Sequence, residues 1–150
     1  MEASLRFYTD VFGMERLPSP DFSQNVEWLR LGEQQLHLFL SEGPAPRSHH
    51  LALDVDDFEA AYLKAKELGL LDEDAFGASV RELPGGAVQM YIRDPAGNLV
   101  EVDWPDVSTL DRSIVTRMTK LSDEIEQSRE AEQSSLYTGG TGAAPTIGDE

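Results

Sequence analysis

Residues 87 to 103 read as two strands joined by a tight turn, Asp94-Pro95-Ala96-Gly97-Asn98, and the rest of the chain has to fold around that hairpin. Pro95 presets φ at the first corner, and Gly97 supplies the positive φ that a short bulged hairpin needs. Beyond the turn, Leu99, Glu101 and Asp103 alternate with Val100 and Val102, so one strand face carries carboxylate while its back is apolar. Glu101 therefore points out of a buried sheet. Alone, such a carboxylate reads as a rim residue or an ion-pair partner.

Around this hairpin the chain divides into two similar runs. Residues 3 to 12 have the spacing of a short amphipathic helix, with Leu5, Tyr8 and Phe12 along one side and Gly13 as its left-handed stop. Met14 to Leu17, Val26 to Leu31 and Gln35 to Leu40 read as strands, the last two turned by Gly32-Glu33. In the third, Leu36, Leu38 and Leu40 share a face and leave Gln35, His37 and Phe39 on the other. After the Gly43-Pro44-Ala45-Pro46 linker, His50 to Val55 is a strand. Asp56 with Glu59 three residues later forms a capping box for a helix ending at Gly69. Residues 72 to 78 are a polar loop, and Val80 to Leu83, Ala87 to Ile92 and Leu99 to Val102 are strands.

The order helix-strand-strand-strand followed by strand-helix-strand-strand-strand is a duplication whose first strand is missing. Mapping His50 back by the interval between Gly13 and Gly69 falls upstream of Met1. The first strand of the first half, with a further ligand, is therefore expected before residue 1. Past Trp104-Pro105, Ser108 with Asp111 caps an expected long helix whose stripe runs through Val107, Leu110, Ile114, Met118, Leu121 and Ile125. Residues 138 to 150, rich in Gly, Ala and Thr, read as a disordered tail.

Composition excludes whole classes of partner. Twenty-eight acidic residues against 12 basic give a net charge of −16, which opposes a phosphate backbone and an anionic membrane surface alike. Acidity dispersed along the chain, with three lysines, is the pattern of proteins adapted to high salt, where screening relieves self-repulsion. There is no cysteine for a disulfide framework, no membrane-spanning run and no secretory signal pattern at the N-terminus, so a cytoplasmic location is expected.

His37, His50 and Glu101 fall on three different strands, each opposite an aliphatic row; Leu51, Leu53, Val55, Val100 and Val102 make the helix-facing side. Two imidazoles and a carboxylate suit a divalent Zn, Fe, Mn, Ni or Co ion. By strand alternation Trp28, Arg30, Phe39, Gln89 and Tyr91 line the same concavity, with Arg30 able to hold a substrate carboxylate or phosphonate or to pair with a surface acid.

Three stretches carry a family resemblance: Ser4-Leu5-Arg6-Phe7-Tyr8-Thr9-Asp10-Val11-Phe12-Gly13-Met14, His50-Leu51-Ala52-Leu53-Asp54-Val55, and Asp94-Pro95-Ala96-Gly97-Asn98-Leu99-Val100-Glu101. With them the chain resembles the vicinal oxygen chelate superfamily of glyoxalases, bleomycin resistance proteins and extradiol dioxygenases. The resemblance implies an α+β fold of paired βαβββ modules in a cupped mixed sheet over residues 1–104. Module one would be 1–41 without its first strand and module two 48–104, followed by a helical extension at 105–137. It also implies His37, His50 and Glu101 as metal ligands, Glu101 and Tyr91 as catalytic residues, Trp28, Arg30, Phe39 and Gln89 as substrate-binding residues, and a homodimer. The implied activity is a glyoxalase-like lyase or isomerase that polarises vicinal oxygens of a small substrate. Two alternatives stay open: an extradiol-type dioxygenase, for which Tyr91-Ile92-Arg93-Asp94-Pro95-Ala96-Gly97 is half of a signature whose upstream histidine is missing, and a metal-free antibiotic-binding protein.

Overall fold

The structure, a computed structural model, describes residues 1–136 apart from Phe22, so the expected tail at 138 to 150 lies outside the described residues. Its elements run α1 (Glu2–Phe12), β1 (Glu15–Leu17), β2 (Val26–Leu31), β3 (Gln34–Phe39), β4 (His50–Asp54), α2 (Phe58–Glu67), β5 (Val80–Glu82), β6 (Val88–Arg93) and β7 (Leu99–Trp104). This is the expected α+β duplication. A three-stranded sheet has the order β1-β2-β3, and a five-stranded sheet the order β4-β7-β6-β5-β8, where β8 (Thr119–Lys120) comes from the C-terminal extension.

Local chemistry sets most boundaries. Gly13 adopts φ 64 and closes α1, its amide reaching the Thr9 carbonyl at 3.0 Å. Gly97 at φ 88 makes the hairpin turn, where the Asp94 carboxylate accepts from the Ala96 and Asn98 amides at 2.8 and 2.9 Å. Buried Tyr8 on α1 donates to Asp94 Oδ2 at 3.1 Å, so the turn of the second half is fastened to the helix of the first. The core gathers Leu5, Phe7 and Tyr8 of α1, Phe58, Ala61, Tyr62 and Ala65 of α2, and the apolar rows of β6 and β7, including Met90, Ile92, Val100 and Val102.

Two expectations fail. The cap of α2 is Asp57, whose side chain accepts from Ala60 N at 2.9 Å, in place of the Asp56–Glu59 box. Glu59 is engaged elsewhere: it accepts the Asp111 amide and ties the extension to α2. The long helix after Ser108 does not form. A 3₁₀ turn at Val107–Thr109, α3 (Arg112–Val115), β8, α4 (Leu121–Glu124) and a second 3₁₀ turn at Ala131–Gln133 replace it. The carboxylates of Asp106 and Asp111 cap two separate turns at Ser108 N and Ser113 N. Val115, Thr116 and Thr119 are poor helix formers, and the open edge of β5 offers Thr119 and Lys120 a parallel ladder opposite Arg81 and Glu82. Leu110 and Ile114 of the expected stripe are nevertheless buried.

Candidate functional site

Strand register assembles the polar face of the five-stranded sheet. Ala52 of β4 sits opposite Glu101 of β7, which sits opposite Tyr91 of β6; Asp54, Asp103 and Gln89 form the next row, and Arg81 of β5 lies beside Gln89. The back of the same strands, Val80, Met90, Ile92, Val100 and Val102, is core, which forces every polar partner onto the one face. Glu101 and Asp103 are each only 6% exposed.

At the centre, His50 Nε2 approaches Glu101 Oε2 at 3.4 Å. His50 Nδ1 lies 2.8 Å from the Ser48 carbonyl oxygen, an acceptor only, so Nδ1 carries the hydrogen. In its neutral form the ring then turns the Nε2 lone pair toward a carboxylate oxygen. Two acceptors so placed are held favourably only by a proton or a cation between them, and the Ser48 carbonyl is the kind of outer partner that orients metal-bound imidazole. The donor set therefore fits a divalent ion of nitrogen and oxygen preference.

Neighbours tune this pair. The Tyr91 hydroxyl donates to Gln89 Oε1 at 3.1 Å; burial, then its hydrogen bonding with Glu101 and the charge there, raise its pKa well above the ordinary phenol value. Burial, followed by the charge of Glu101 and their hydrogen bond, pushes the Asp103 carboxyl up to about 7. Asp103 Oδ1 has no hydrogen-bond partner. The Phe76 ring stands over the site, 4.7 Å from the Tyr91 ring and 5.7 Å from His50, centre to centre. Phe76 belongs to the stretch 72 to 78 read from sequence as a merely polar loop.

His37 is placed differently. It lines, with His49, His50 and Asn98, a cavity of about 360 Å³ between the facing edges of β3 and β4. Its ring stacks on Trp28 at 4.4 Å and its Nε2 meets Gln35 Oε1 at 3.0 Å. Among the described residues no three histidine, aspartate or glutamate side chains gather closely enough to hold an ion, so one chain brings together His50 and Glu101 and leaves His37 across the groove. His49, which sequence alternation points away, lines that groove too. Arg30 is engaged by Glu15 at the surface, and Phe39 is 56% exposed. Gln89 and Tyr91 lie on the polar face as alternation predicts.

Two further residues of this face, Arg81 and Phe76, escape a reading by strand alternation. Arg81 sits in a three-residue strand too short to show its parity, and Phe76 sits in a loop.

Among the described residues no helix is long and apolar enough to cross a membrane. Three relatives share the chain's pattern. It is 33% identical over 113 residues to the uncharacterized protein YwbC of Bacillus subtilis (strain 168), covering 67% of this chain and 86% of that one. It is 28% identical to the mitochondrial methylmalonyl-CoA epimerase of Mus musculus, over 69% of this chain and 66% of the epimerase. The solved lactoylglutathione lyase of Agrobacterium tumefaciens superposes with a TM-score of 0.50 at 29% identity, covering 68% of this chain and 83% of the lyase. The family model for the Glyoxalase/Bleomycin resistance protein/Dioxygenase superfamily matches residues 1–102, more than half of the chain, and the chain belongs to that superfamily.

Proposed function

We propose that the protein is a divalent-metal-dependent enzyme of glyoxalase-like type, a lyase or isomerase acting on a small substrate with two adjacent oxygens. The observation that carries this reading is the His50–Glu101 contact of 3.4 Å, with the His50 tautomer set by Ser48. His50 and Glu101 would hold the ion, and His37, on the opposite wall of the groove, is the third donor. A bound ion would polarise the substrate oxygens and stabilise a developing enolate or oxyanion.

The chain's own residues do the rest. Glu101 is the buried carboxylate placed to exchange a proton with the substrate carbon. Tyr91, kept protonated by burial beside Glu101, would turn its one hydroxyl hydrogen from Gln89 to a substrate oxygen. Phe76 flanks His50 and Tyr91 and would form an apolar wall for the substrate. Similarity to proteins named as a lyase and an epimerase supports proton transfer over ring cleavage. Among the described residues the outer edges of β3 and β4 have no strand partner, and with exposed Phe39 and Leu40 nearby they support a homodimer in which a second copy covers the groove.

The test is nickel and zinc titration of the full chain, at high salt because of the −16 charge, alongside turnover of methylglyoxal with several thiols, fosfomycin and catechols. His50→Ala and Glu101→Gln should each weaken metal binding by about 100-fold or more, with His49→Ala silent. Equal metal retention in His50→Ala and the unaltered protein refutes the centre. One observation favours a second reading, a metal-free binding module: His37 already has Trp28 and Gln35 as partners. Under that reading, His37→Ala leaves small-molecule binding intact and added metal changes nothing.

A further inference from the structure

The polar face of the five-stranded sheet carries two guanidinium groups in opposite circumstances. Arg93 is consumed by structure, donating to Asp72 Oδ1 at 3.0 Å and to the carbonyls of Pro46, Arg47 and Gly97. Arg81 is half used. Its Nη2 donates to the Phe76 carbonyl and to Glu124 Oε2, both at 2.9 Å, while its Nε is buried with no acceptor.

Nε and Nη2 form the edge of a guanidinium that grips a carboxylate or phosphonate with two parallel hydrogen bonds. Here that fork holds one oxygen of Glu124, and the second donor faces nothing, which leaves a desolvated N–H uncompensated. Glu124 is a weak tenant. It sits on α4, a four-residue helix with no buried residue, and its own side chain is 39% exposed. The fork opens beside the proposed centre: Arg81 pairs in register with Gln89, which accepts the Tyr91 hydroxyl, and the residue whose carbonyl Arg81 binds is Phe76, the ring over His50.

We infer that Arg81 is the anchor for an anionic end of the substrate, a carboxylate or phosphonate group, and that Glu124 fills this subsite as an internal competitor until the substrate's two oxygens displace it. The inference rests on the reading of His50 and Glu101 as the reaction centre. It makes the extension a part of the active site, because α4 must release Arg81 for an anion to bind through both donors.

The experiment uses the full chain, ¹⁵N-labelled, with the Arg81 Nε–H resonance followed during titration with methylphosphonate, acetate and neutral acetamide at fixed ionic strength. Both anions should move that resonance saturably and acetamide should not; the tighter of the two identifies the anion class. Glu124→Gln should tighten anion binding by about tenfold, since a charged competitor is gone. Arg81→Gln and Arg81→Lys should abolish it. Equal affinity in Glu124→Gln and the unaltered protein overturns the inference, as does saturable binding in folded Arg81→Gln. The Glu124 result decides by itself if the Arg81 variants do not fold. Nickel titration of the same samples reads the centre separately: nickel binding that ignores His50→Ala refutes the centre, whereas an anion response that ignores Glu124 and Arg81 refutes only the subsite.

Discussion

β3 and β7 hold equivalent places, each the last strand of its half, yet β7 is buried along nearly its whole length and β3 is largely exposed. The cause is flanking. β7 lies between β4 and β6, whereas β3 pairs with β2 alone among the described residues. A side chain on β7 therefore works in a low dielectric and one on β3 in water. On β6 and β7 burial first, and then Glu101, itself 6% exposed, raise the pKa values of Tyr91 and Asp103. His37, on the exposed strand, is held by a stack and one amide contact. The comparison teaches that the electrostatic strength of this site comes from the second half, and that the first half supplies a wall.

The widest gap between the halves should appear in core truncation. Met90 on β6 is fully buried, so Met90→Ala should cost about 2–5 kcal/mol in urea unfolding. Leu38 on β3 packs against the core only partly, and Leu38→Ala should cost about 1 kcal/mol or less. Equal costs would locate the contrast in the single chain alone, because they would mean that a second copy covers β3 in solution as thoroughly as the core covers β6.

A smaller effect tests the buried carboxylates. Asp103 has a folded-state pKa raised from 3.8 to about 7, by burial first and then by Glu101. A raised folded value means that the stabilisation from this group is present below about pH 4 and is lost as pH rises through about 7. Asp103→Asn, which cannot ionise, should match the unaltered protein at pH 4 and exceed it at pH 8 by roughly 1–3 kcal/mol, measured by urea unfolding in EDTA. A difference that does not grow with pH would show that Asp103 ionises freely in the folded protein.

What the residues disclose in advance follows the same division. The hairpin at 94 to 98, both glycine-ended helices and the strand parity of Glu101 and His50 were legible because turn chemistry and alternation are local signals. The path of residues 107 to 125 was not. Its apolar spacing is helical, but the open edge of β5 and the carboxylates of Asp106 and Asp111 are tertiary and capping competitors that periodicity does not register. Arg81 and Phe76 were missed for a related reason: a three-residue strand and a loop carry no period. His37 was legible as a face and not as a distance, since register within one sheet says nothing of the gap to the next.

The smallest expected effect separates two arginines. Strand alternation points to Arg30 on β2 for holding a substrate anion, and the structure points to Arg81 on β5. Arg30 pairs with Glu15, and the two side chains are 52% and 62% exposed, so both stay hydrated and screened. Pairs of this kind contribute about 0–1 kcal/mol, and less as salt is added. Arg30→Gln should therefore shift the urea midpoint by no more than about 0.5 kcal/mol equivalent and leave methylphosphonate binding unchanged. Its guanidinium has its acid on the same open sheet and no desolvated donor, whereas Arg81 has a buried Nε without an acceptor. Loss of anion binding in Arg30→Gln would move the subsite to the first half and reverse the assignment of roles between the two sheets.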